Sequence, residues 1–91
     1  MMNILISKVY EKQLKEILDS LIKIDYQQTK NFKMYLDTII LNMPSKLKKY
    51  QKSIYFDDDS IKDIQYNGCT IPFLVDIDKN LIILLGITSK S

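Results

Sequence analysis

Apolar residues recur along this chain at two spacings. The run Asn3-Ile4-Leu5-Ile6 reads as a short first strand, and Ser7 after it reads as a helix N-cap whose hydroxyl can accept a free N–H of the first turn. Tyr10, Leu14, Ile17, Leu18, Leu21 and Ile22 then follow at helical spacing and form one stripe. Charged residues take the other faces, where Glu11 with Lys15 and Asp19 with Lys23 stand one turn apart as acid-first pairs. Asp25 ends this helix and caps a second, with Gln28 three residues on, as in a capping box. The second stripe is Phe32, Tyr35, Leu36, Ile39, Ile40 and Met43, and Pro44 stops it at or near Met43. So short a connection, one or two residues, makes the pair an αα-hairpin.

Beyond residue 60 the pattern changes. Ile61-Lys62-Asp63-Ile64-Gln65-Tyr66, Cys69-Thr70-Ile71-Pro72-Phe73-Leu74-Val75-Asp76-Ile77 and Leu81-Ile82-Ile83-Leu84-Leu85-Gly86-Ile87-Thr88 are rich in β-branched and aromatic residues. Asn67-Gly68 separates the first two as a hairpin turn, because both residues tolerate positive φ, and Asp78-Lys79-Asn80 separates the last two. Three runs and two turns spell an antiparallel meander. The third run is apolar almost without interruption, so it reads as a central strand. Pro72 removes a ladder donor, which calls for an edge, a bulge, or a nitrogen facing no partner. The expected fold is α+β in the order β-α-α-β-β-β, with the helical hairpin packed on a small antiparallel sheet and residues 1–91 forming one domain.

Between helices and meander, residues 45–60 are irregular. Lys46, Lys48, Lys49 and Lys52 cluster around Tyr50, which fits either a solvated loop or phosphate contacts with a ring to stack. Ile54-Tyr55-Phe56 reads as a short apolar anchor. Asp57-Asp58-Asp59 lacks the spacing of a calcium loop, and no metal or cofactor is expected.

Charge narrows the chemistry. The net charge is only +2, but all 13 basic residues are lysine and histidine is absent. Without histidine there is no group of unperturbed pKa near neutrality, and without arginine there is no planar bidentate phosphate clamp. The single Cys69 excludes an internal disulfide and suits a reducing cytosol. No run reaches the length of a membrane span and no signal-peptide pattern opens the chain, so a cytoplasmic protein with no membrane partner is expected.

The order of these elements resembles the RelE/ParE superfamily of bacterial type II toxins. Ile4-Leu5-Ile6-Ser7-Lys8 and Tyr10-Glu11-Lys12-Gln13-Leu14-Lys15-Glu16-Ile17 resemble the family's first strand and helix, and Lys30-Asn31-Phe32 through Leu36 its second helix. Lys52-Ser53-Ile54-Tyr55-Phe56-Asp57-Asp58 and Ile61-Lys62-Asp63-Ile64 resemble the lead-in to its sheet. Gly68-Cys69-Thr70-Ile71-Pro72-Phe73 stands where the family carries Gly-Tyr-Arg-x-x-Tyr, with threonine at the arginine, cysteine at the first aromatic and Phe73 lacking the last hydroxyl.

The resemblance implies a growth-inhibiting toxin neutralised by a cognate antitoxin. Its mRNA-cleaving branch uses basic sheet residues with an arginine and a tyrosine near the C-terminus, whereas no arginine, histidine or tyrosine follows Tyr66 here. Lys62, and next Lys52, are the remaining candidates for a catalytic base. One or two lysines can hold a phosphate as point charges but cannot supply the whole acid–base set. The expectation is therefore a ParE-like inhibitor of DNA gyrase. The alternatives are a RelE-like ribosome-dependent mRNA endonuclease, or a decayed relative that only binds antitoxin. The antitoxin is expected as a segment that folds on binding, either as a helix in an apolar groove or as a strand on a sheet edge. A homodimer and a heterotetramer with antitoxin both stay open.

Overall fold

The computed structural model describes residues 2–89. The elements are β1 (Asn3–Ile6), α1 (Lys8–Ile22), α2 (Tyr26–Asn42), a 3₁₀ segment (Met43–Lys49), β2 (Gln51–Lys52), β3 (Ile61–Tyr66), β4 (Cys69–Asp76), β5 (Leu81–Leu84) and β6 (Thr88–Ser89). Ser7 caps α1 by accepting the Tyr10 N–H at 3.1 Å. Asp25 caps α2 by accepting the Gln28 N–H at 3.1 Å, so Gln28 answers with its backbone N–H. Lys23, Ile24 and Asp25 join the two helices, a slightly longer link than the pattern implied. The ion pairs that form are base-first, Lys15–Asp19 at 2.7 Å and Lys33–Asp37 at 2.6 Å, instead of the acid-first pairs expected on α1. Pro44 ends the α-helix, yet the chain keeps turning: proline sits in the first turn of the 3₁₀ segment, where its missing N–H costs nothing.

The sheet runs β1-β5-β4-β3-β2. β3, β4 and β5 form the antiparallel meander, while β1 enters parallel to β5, so the sheet is mixed. Asn67 (φ 50°) and Gly68 (φ 81°) close the first turn with the two positive φ values that match a hairpin's twist. The helices cover one face only. Ile64, Ile71, Phe73, Ile82 and Leu84 point into it and meet Tyr10, Leu14, Phe32, Leu36, Ile40 and Met43. Tyr66 extends this layer, its ring 5.2 Å from that of Phe32 and its hydroxyl donating to the Phe32 carbonyl at 3.0 Å.

The last run does not hold as one strand. β5 stops at Leu84, and pairing with β4 resumes only at Thr88. Of the three alternatives for Pro72, the structure shows a nitrogen facing a break in the pairing, while β4 itself runs unbroken from Cys69 to Asp76. The Leu85 N–H donates to the Pro72 carbonyl at 2.9 Å, so the main-chain polar groups of Pro72 face this break, where a missing donor is tolerated. The cap residue Ser7 and α1 supply partners in the break for Leu85 and Ile87, while the Leu84 carbonyl stays in the ladder with β1. The Ser7 N–H donates to the Leu84 carbonyl at 3.2 Å, the Ser7 hydroxyl to the Leu85 carbonyl at 3.3 Å, and the Ile87 N–H to Gln13 Oε1 at 2.9 Å. A Cβ at Gly86 would lie 2.6 Å from Gln13 Oε1, so glycine is what lets the side chain in.

Candidate functional site

The positions where the resemblance placed a catalytic signature carry packing. Cys69 and Phe73 are buried in the core. Thr70 is buried on the far face of the sheet, where its hydroxyl donates to Gln65 Oε1 at 2.8 Å. Lys62 and Lys52 lie directly opposite each other on β3 and β2. Two like charges so placed must diverge, and each ammonium finds its own partner. Lys62 Nζ, half-buried, donates to the Tyr50 carbonyl at 3.1 Å. Lys52 Nζ reaches Asp57 at 3.1 Å and Asp59 at 3.3 Å. The aspartate run thus holds a lysine, and Asp58 caps its own loop by accepting from both the N–H and the hydroxyl of Ser60.

The resolved pKa shifts all lead away from neutrality. Burial pushes the Tyr10 phenol up to about 12, with smaller contributions from Asp37 and Cys69. Burial also raises Tyr50, Tyr66 and the Cys69 thiol. Hydrogen bonds to Asp57 and Asp59 raise Lys52, and those from Ser60 lower Asp58. None of these shifts brings a proton donor or acceptor toward the range where acid–base catalysis works best.

The irregular segment forms a wall instead. An open cleft of about 630 Å³ lies between α2, the 3₁₀ segment and the outer margin of β3. Ile39 and Asn42 line it from α2, Lys46 and Lys49 from the 3₁₀ segment, and Ile64 and Gln65 from β3. The basic cluster signalled this wall; Gln65 and Asn42 carried no signal, because the cleft exists only where β2 fails to continue. The Tyr50 ring is already engaged, packed T-shaped with Phe73 at 5.6 Å between centroids and with Lys49 Nζ over its face at 6.0 Å. Asp63 is buried beside the cleft, with Oδ2 accepting the Ile54 N–H at 2.9 Å. That bond props up residues 54–56, and the expected anchor turns outward: Ile54, Tyr55 and Phe56 are 74%, 53% and 41% exposed. Ser53 takes the buried position in their place.

No protein-family profile and no curated protein sequence matches the chain. Among solved structures, a chain of the toxin–antitoxin complex RelBE2 from Mycobacterium tuberculosis superposes with a TM-score of 0.57 at 6% identity, over 98% of this chain and 91% of that one. No helix among the described residues is long and apolar enough to cross a membrane. Two helices on one face of a mixed sheet, in this order and over nearly the full length, give the chain the fold of a RelE-type toxin.

Proposed function

We propose that this chain is the toxin of a type II toxin–antitoxin pair, acting in the cytoplasm and held inactive by a cognate antitoxin. A ParE-like mode, inhibition of DNA gyrase by binding, is the favoured action. One observation supports that choice over mRNA cleavage: Cys69, Thr70 and Phe73, at the positions of the nuclease signature, are committed to the interior. The two candidate bases, Lys62 and Lys52, are occupied by Tyr50 and the aspartate loop. A toxin that only binds its target needs no proton-transfer set.

Induced expression in bacteria tests the reading. Growth arrest with filamentation and DNA-damage induction is expected, and Lys52→Ala with Lys62→Ala should still arrest growth at equal soluble yield. Ribosome-bound mRNA cut in the A site would replace this reading with the nuclease, and normal growth at confirmed soluble expression would leave an antitoxin-binding relative.

A further inference from the structure

We infer that the lysine-walled cleft receives a short, acidic, extended peptide that adds to the free margin of β3; that the peptide comes from the antitoxin rests on the toxin–antitoxin reading above. The ladder shows why a strand fits. Gln51 pairs with Asp63 and Lys52 with Lys62, and the Ser53 N–H donates to the Ile61 carbonyl at 2.8 Å. Main-chain groups of alternate residues, Ile61 and Asp63, therefore face β2, and the next in the series is Gln65. Opposite Gln65 the chain has already turned into the 3₁₀ segment at Lys49, so no strand lies there. The Gln65 N–H and carbonyl thus present one unfilled ladder position to the cleft.

Charge complementarity selects the peptide. Lys52 is neutralised by Asp57 and Asp59, whereas no ion pair among the described residues engages Lys46 or Lys49, both exposed and both lining the cleft. An extended segment laid on residues 64–66 sends alternate side chains to opposite sides, one set toward Ile39 and Ile64 and the acidic set toward the lysines. Single-stranded nucleic acid fits less well. It needs an open ring face to stack on, and the ring in this wall, Tyr50, packs T-shaped with Phe73 and has the Lys49 ammonium over its face, 6.0 Å from the centroid.

The test titrates the nitrogen-labelled full chain at low salt with an acetylated, amidated peptide, Glu-Val-Glu-Val-Glu. The largest amide shifts should fall on residues 64–66, with slowed hydrogen exchange at Gln65. K46E/K49E should weaken binding about tenfold at unchanged circular dichroism, and methylation of the peptide's central amide nitrogen should abolish it. Shifts centred elsewhere, or indifference to K46E/K49E, overturn the proposal; so does an oligouridylate that binds the same residues more tightly than the peptide. The second arm measures the complex with the product of the adjacent small reading frame by calorimetry. About a tenfold loss for K46E/K49E supports the antitoxin as source, and an unchanged Kd overturns it. Failure to form any complex removes the toxin–antitoxin reading, while the peptide titration still judges the cleft.

Discussion

The two sides of β4 are built differently. Toward β3 it is matched residue for residue, from Ile61 opposite Leu74 to Tyr66 opposite Cys69. Toward the end of the chain it is matched from Phe73 to Asp76 and again at Cys69 and Thr70, with a gap at Ile71 and Pro72. The intact side rests on a turn whose two residues both hold positive φ. The interrupted side rests on side chains of a helix more than seventy residues away in sequence. A sheet can thus lose ladder bonds without leaving main-chain groups unpaired, provided another element delivers donors and acceptors to the same places.

Breaking both sides at once should cost most. Phe73 pairs with Lys62 on one side and Leu84 on the other, and its ring is fully buried. Phe73→Ala should lose about 3–5 kcal/mol in urea unfolding. Gln13→Ala strikes the interrupted side alone. It leaves the Ile87 N–H unpaired in a buried place and should cost about 1–3 kcal/mol. If water fills in for Gln13 without loss, the helix is not the strand's substitute. Thr70→Val strikes the intact side while keeping volume, and removal of its bond to Gln65 should cost about 1 kcal/mol. The smallest change at neutral pH belongs to Tyr10→Phe, since the buried hydroxyl finds no partner. Its signature is in alkali. A phenol raised from 10.0 to about 12 on folding contributes stability that is complete below pH 10 and lost as pH rises toward 12. The phenylalanine variant should show a flatter alkaline limb over that window.

Where pattern and structure agree, one period governs many residues. The stripes of α1 and α2, the caps Ser7 and Asp25, and the turn at Asn67-Gly68 were legible because each is a local rule confirmed by its neighbours. Tyr35 and Ile22 fall on their stripes yet lie exposed, since each sits at the margin of a face that the small sheet cannot cover. The break after Leu84 was not legible. An apolar run reads as strand, and the reason it stops is the reach of Gln13 from another element. The parallel entry of β1 was hidden for the same reason, as was the cleft, which depends on β2 being only two residues long. Candidate residues fared likewise: spacing located Lys62 and Lys52 on neighbouring strands, but their engagement with Tyr50 and the aspartates is tertiary.

The seam between β1 and β5 has a consequence for folding. β1 finds its only sheet neighbour among the described residues in Leu81–Leu84, and Ser7, the cap of α1, finds its acceptors at Leu84 and Leu85. Loop closure across nearly the whole chain must precede these bonds. Until Leu81–Leu84 reach their places, β1 has no neighbouring strand and Ser7 lacks its acceptors at Leu84 and Leu85, so the outer margin of the sheet closes late in folding.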